Sequence, residues 1–237
     1  RAVIENHAGE EGILVQKLNL DPDTGENLVA FFELRIFHFL PGMRYERRIH
    51  EQLHRNGQPL EHLTVIAPKT LQIIHTGYAQ RLSREKAERN LRLLLAELKE
   101  TDAPQELYTY LAEVYDGLGD RQQAMQYARL DIAGGRQAVT YASRSYRILL
   151  TRLAENPQNF AERQRVAAQA VRDFPELPEF HAEYAESLAA DFSYVSAIAE
   201  MQQASAAFSH YTGIEPMLFT AEDRAAGEGR IVLWQRI

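Results

Sequence analysis

The chain has 237 residues, 45% of them hydrophobic and 25% charged, a balance that supports buried cores and excludes a disordered segment. A formal net charge of −7 leaves no positive surplus for neutralising a phosphate backbone, so nucleic acid is not expected as a partner. There is no cysteine for disulfides or thiolate metal sites and no run of about 20 apolar residues to span a bilayer, and the opening RAVIENHAGEE is no signal peptide, so a cytoplasmic location is expected.

Residues 1 to 82 read as strands and loops. The chain opens without an initiator methionine on RAVIEN, an apparent strand, which predicts that an earlier part of a domain is missing. IENHAGEEG and NLDPDTGEN carry turn residues, and LVAFFELRIFHFL is a β-rich run suited to a mixed sheet. After Pro41-Gly42 come MRYERRIHEQLHRNG and two short strand candidates, LTVIA and TLQIIHTGY, separated by Pro68-Lys69.

From Ser83 the apolar period changes from two to about 3.6 residues. SREKAERNLRLLLAELKE starts at a plausible N-cap, Ser83, and keeps Ala87, Leu91, Leu94, Leu95 and Leu98 on one face. Helix signals then dominate to about residue 208, and they repeat. Leu111-Ala112, Tyr115, Gly119-Asp120 and Ala124 fall where a tetratricopeptide hairpin places its packing residues, and Tyr184-Ala185, Leu188, Ala197 and Ala204 fall at the same offsets. In both segments the key alanines are 12 residues apart, which lets two antiparallel helices approach closely. Between them TYASRSYRILLTRLAENPQN and FAERQRVAAQAVRDFPELP supply a degenerate hairpin whose ends are marked by Pro157, Pro175 and Pro178. The stretch 213–237 changes character again and ends in GRIVLWQRI, a predicted strand. The domains expected are therefore 1–82, 83–212 and 213–237.

One local pattern invites a zinc protease. His50-Glu51-Gln52-Leu53-His54 matches HExxH, which on a helix would put two imidazoles on one face with Glu51 activating a metal-bound water. Gly57 follows as in one protease branch, but Leu60 stands where that branch has its third histidine, and Pro59 would disturb a continuing helix. The protease therefore ranks as a minor alternative.

The same residues acquire another meaning from their surroundings. ELRIF at 33–37, MRYERRIHEQL at 43–53, IIHTGY at 73–78 and REKAERNLRLLLAEL at 84–98 together resemble tetratricopeptide-containing family 2 glycosyltransferases. The elements carrying the resemblance are Arg35-Phe37, Tyr45, Ile49-His50-Glu51, His75-Gly77-Tyr78 and Lys86-Glu88-Arg89-Asn90. The resemblance implies an α/β or α+β chain: the C-terminal part of a Rossmann-like catalytic domain, followed by an α-helical hairpin array. It also implies a nucleotide-sugar donor, a polypeptide or glycan acceptor, and a divalent cation, manganese or magnesium, in the complete enzyme. Asp21-Pro22-Asp23 has the Asp-x-Asp form of the cation motif but reads as a loop, so the true motif is expected before Arg1 and this stretch alone should be inactive.

On that resemblance Glu51 is the catalytic base, and His50 ligates the cation or touches the diphosphate. Arg35, Tyr45, Arg48, His75 and Tyr78 are the substrate-binding candidates, with Arg44 and Arg47 beside Arg48 in a small basic cluster. Each has a plainer reading: Glu51 a surface carboxylate, His50 and His75 hydrogen-bonded structural residues, Arg35 an ion-paired edge residue. The helical half has its own alternative function. Stacked hairpins form a surface suited to peptides, protein partners or a homodimer, so a protein-interaction module competes with the enzyme.

Overall fold

The computed structural model describes residues 2–7, 9–22, 24–46, 51–76, 83–102, 105–136, 141–213 and 215–237. The chain divides into two compact units, Arg1–Leu107 and Tyr108–Ile237.

The first unit is built on β1 (Gly12–Leu20) and β2 (Asn27–Phe37), an antiparallel pair. Along the other edge of β1 run two short parallel strands, β6 (Leu63–Val65) beside Gly12–Leu14 and β7 (Gln72–His75) beside Gln16–Asn19. Ile13, Val15 and Ile66 form the core of this mixed sheet. A three-stranded antiparallel meander, β3 (Met43–Glu46), β4 (Gln52–Arg55) and β5 (Gln58–Pro59), makes a separate sheet. Its second turn is Asn56-Gly57 with φ of 53° and 78°, the two left-handed residues that match a two-residue hairpin loop to the twist of its strands. Among the described residues no helix connects β1 to its parallel partners, so the βαβ crossover of a Rossmann-like domain is not present there.

RAVIEN does not form the expected strand. Ala2–Asn6 is a short helix, α1, and Val3 packs on the sheet core. Over five residues this tertiary contact outweighs the β preference of Val3 and Ile4. Helix α2 (Ser83–Leu98) begins at the predicted Ser83, buries Leu94 and belongs to the first unit.

The second unit is a helical repeat array: α3 (Gln105–Leu118), α4 (Arg121–Ala133), α5 (Arg144–Ala154), α6 (Phe160–Asp173), α7 (Pro178–Ala190), α8 (Tyr194–His210) and α9 (Ala221–Trp234). Ion pairs across the helices reveal two layers. Arg152 grips Asp116 with two bonds of 2.6 and 3.1 Å and Arg144 pairs with Glu113, tying α5 to α3; Arg147 pairs with Glu179, tying α5 to α7; Arg230 reaches Glu186 at 2.8 Å, tying α9 to α7. On the other layer Arg129 of α4 holds Glu162 of α6. Odd-numbered helices thus lie side by side, backed by even-numbered ones.

The hairpin alanines account for the close packing. Ala112, Ala124, Ala185 and Ala197 are all fully buried, so larger side chains would force the paired helices apart. Gly119 turns the first hairpin with φ 84°, and Asp120 caps α4 by accepting the Gln123 N–H at 3.1 Å. Pro157 opens a 3-10 turn before α6 and Pro178 occupies the first turn of α7, as the sequence predicts.

The C-terminal strand is a second correction. GRIVLW, the first six residues of that stretch, closes α9, whose Gly227, Ile231 and Trp234 face α8 at helical spacing. Thr220 and Asp223 form a capping box at its start. No helix among the described residues is long and apolar enough to cross a membrane.

Candidate functional site

The residues singled out in the first unit fall in two places. Arg35 is exposed on β2 and ion-paired with Glu33, which also binds Lys17 at 3.3 Å. Two residues on, Phe37 makes an edge contact with the exposed Tyr45 of β3, ring centroids 6.4 Å apart, whereas Arg35 is the residue passed over where the β1–β2 register shifts, so strand alternation does not place it with that aromatic pair. His75 is partly buried on β7 beside Asn19, while Phe37 lies across from Gly12. Seven residues of strand separate these levels, about 23 Å at ~3.3 Å per residue. Arg35 and Tyr45 are therefore not brought together with His75 around one reacting centre. Glu51 is exposed just before β4. His50, Arg48 and Tyr78, with Arg47 and Gly77, lie outside the described residues.

The HExxH pattern does not form its helix, because its second half is strand β4. His54 there places Nδ1 2.7 Å from Glu46 of β3. The Arg44 guanidinium and then His54 hold the Glu46 carboxyl below its ordinary range. Asp21 closes the β1–β2 loop by accepting the Thr24 N–H at 2.9 Å, in line with its reading as a loop residue. Among the described residues no group of three or more His, Asp or Glu side chains is placed to hold a metal ion, and the candidate ligand His50 lies outside them. A residue the motifs missed is Glu11. Its carboxylate accepts the N–H groups of Glu61 (3.1 Å) and His62 (3.4 Å) and the Arg55 guanidinium (3.1 Å), which together lower its pKa and fasten β4 to the start of β1.

The second unit contains a more developed site. A cleft of about 330 Å³ opens between the start of α7, the end of α8 and the chain that follows, with Pro175, Glu176, His181, Gln203, Ala207, His210, Tyr211, Thr212 and Gly213 on its walls. His181 holds the walls together from within: Nδ1 meets Glu200 of α8 at 2.8 Å and Nε2 meets the Pro175 carbonyl at 3.0 Å. Apolar surface from Pro175, Ala207 and Tyr211 alternates with the amide of Gln203, the hydroxyl of Thr212 and the carboxylate of Glu176. Such a lining suits one or two side chains and the main chain of a peptide.

From the cleft, residues 211–213 and 215–220 run without helix or strand across the odd-numbered layer. Arg147 of α5 donates to the Pro216 carbonyl while paired with Glu179 of α7, and Glu179 in turn accepts the Leu218 N–H at 3.3 Å. These contacts read main-chain groups, not side chains. Glu215 is buried and accepts the Ala142 N–H (2.8 Å), the Ser143 N–H (3.2 Å) and the Ser143 hydroxyl, so it supplies the N-terminal cap of α5 from 72 residues away. Tyr211 donates its hydroxyl to the Glu215 carbonyl, and burial raises its phenol pKa. Tyr141, at φ 68°, lies under the guanidinium groups of Arg144 and Arg147, 4.3 and 5.0 Å from its centroid. No motif in the sequence marks Arg147, Glu179 or Glu215. Their pairing depends on contacts 32 to 72 residues apart.

No protein-family model and no curated protein matches the chain. Among solved structures it is similar to the type III secretion translocator chaperone SycD of Yersinia enterocolitica, with 14% identity over 60% of this chain and 90% of that one and a TM-score of 0.43. It is similar also to MamA, with 10% identity over 66% and 81% of the two chains and a TM-score of 0.45. A third is YrrB, described as a TPR protein with an unusual peptide-binding site, with 13% identity, 66% and 82% coverage and a TM-score of 0.43. The repeat assignment rests on this chain's own alanine pairs and two-layer helix order.

Proposed function

We propose that the second unit is a protein-interaction module of tetratricopeptide type that binds an extended polypeptide segment, with the cleft beside Gln203 and Ala207 receiving its side chains. One observation carries this reading: the array already holds a non-helical piece of its own chain, residues 215–220, through main-chain contacts from Arg147 to Pro216 and from Leu218 to Glu179. A surface that recognises peptide carbonyl and N–H groups is equipped for a second segment laid in continuation of the first. The test is selection from a random peptide display library on the full chain, followed by titration of the selected peptides. Ala207→Arg fills the cleft from a partly buried position and should weaken binding at least tenfold. Selected peptides that bind the Ala207→Arg variant as tightly as the parent would refute the site.

A second reading, a nucleotide-sugar transferase with a divalent cation, concerns the first unit. It is favoured by the ring contact of Phe37 with Tyr45, two residues of the family-like pattern. Calorimetric titration with manganese and a panel of nucleotide sugars tests it, and absence of heat counts against it.

A further inference from the structure

Helix α9 has two different faces. Gly227, Ile231 and Trp234 turn to α8, so closely that a Cβ at Gly227 would lie 2.6 Å from the Met201 sulfur. The opposite face is solvent-exposed. It consists of Ala225, Ala226, Gly229, Val232 and Leu233, with Val232 47% and Leu233 57% exposed, and a Cβ at Gly229 would meet nothing within 4 Å. At 100° per residue these five lie within about 60° of the Gly229 direction. Glu222 falls on the same stripe near the start of the helix, and Arg236 falls on it in the hydrogen-bonded turn that ends it. The other ion pairs of α9, Arg224 with Glu228 and Arg230 with Glu186, lie off the stripe.

The order of side chains about Gly229 identifies the partner. Turned end for end about that glycine, the stripe is complementary to itself. The alanines at 225 and 226 come opposite Val232 and Leu233, Glu222 comes opposite Arg236, and glycine meets glycine where two helices approach most closely. Large residues face small ones, and acid faces base at both ends. Packed parallel, the same faces would set leucine on leucine and glutamate on glutamate.

We propose that the chain forms a homodimer by antiparallel packing of α9 on α9 of a second copy, with Gly229 at the twofold axis. Such an isologous contact uses one patch twice, as closed symmetry requires. Two to three turns of helix from each copy cover less than the ~1,200 Å² of a standard interface, so the dimer is weak, with a Kd on the order of 10–100 μM. This interface is independent of the peptide-binding reading, because the stripe and the cleft lie on different elements.

Sedimentation equilibrium of the full chain from about 5 to 500 μM tests it, with circular dichroism confirming that each variant remains folded. The parent should move from monomer to dimer across this range, and Leu233→Arg, at an exposed position, should stay monomeric. Glu222→Arg alone should weaken the dimer by about tenfold, since it meets Arg236 of the other copy, and the double exchange Glu222→Arg with Arg236→Glu should restore it. A chain monomeric throughout, a dimer that tolerates Leu233→Arg, or a double exchange no better than the single one each overturns the proposal. The first outcome assigns the stripe to a different protein.

Discussion

Replacing Glu215 by alanine should unfasten the 211–220 segment and the start of α5 together. The carboxylate is 6% exposed and accepts two backbone N–H groups and one hydroxyl, while Ser143, at the N-cap of α5, makes no side-chain cap of its own. Alanine leaves those donors without an acceptor in a buried place. Each stranded group costs about 1 kcal/mol or more, and loss of a negative charge at a helix N-terminus adds about 0.5 kcal/mol. The expected destabilisation is therefore about 2–4 kcal/mol, a large share of the ~5–15 kcal/mol that stabilises an ordinary domain. Glutamine keeps one acceptor oxygen without the charge and should lose about half as much. Urea unfolding followed by circular dichroism gives the magnitude, and amide hydrogen exchange at Ala142 and Ser143 gives the location. A Glu215→Ala variant within about 0.5 kcal/mol of the parent, or one whose Ala142 amide stays protected, refutes the long-range cap.

Two further predictions concern the array. Ala185→Leu places three extra carbons at a fully buried hairpin contact and should destabilise by about 2–3 kcal/mol in thermal unfolding, whereas Val195→Ala, at a position 85% exposed, should change little. Asp131, 3% exposed on α4, has its pKa pushed up to about 6 by burial, partly offset by a hydrogen bond with Ser145 and the charge of Arg144. Because the folded state then holds the proton more tightly than the unfolded chain, stability falls as pH rises from about 4 to 6, by on the order of 3 kcal/mol, and remains lower at pH 7. Asp131→Asn should flatten that part of the pH profile of Tm, and an unchanged profile contradicts the assignment.

The helical array was legible because its signals are local and periodic. Alanines 12 residues apart, a Gly-Asp turn and prolines at helix starts each act within one hairpin, and the structure buries or places them accordingly. The C-terminal helix reads as a strand in sequence because IVLW is a short apolar run that fits either period. The capping pair Thr220 and Asp223 and the spacing of Gly227, Ile231 and Trp234 were the signals available. At the amino terminus AVIEN is too short for periodicity to decide between helix and strand. The cleft was not legible, since its chemistry comes from side chains that approach only after the hairpins stack. Glu215 on the α8–α9 connection and Arg147 on α5 have no spacing that announces their meeting around Ser143 and Pro216. In the first unit HExxH was the sharpest sequence pattern, yet strand pairing opposite Arg44 determines the setting of His54.

Under the proposed function, the cleft of the helical unit receives an extended peptide next to the segment the unit already holds. Amide chemical-shift mapping of the isotopically labelled full chain with a display-selected peptide tests it most directly. Saturable shifts are expected at Gln203, Ala207, Thr212 and Gly213, with the sheet residues Gly12–Leu20 unmoved. Shifts confined to other surfaces, with these four amides unchanged at saturation, would contradict it.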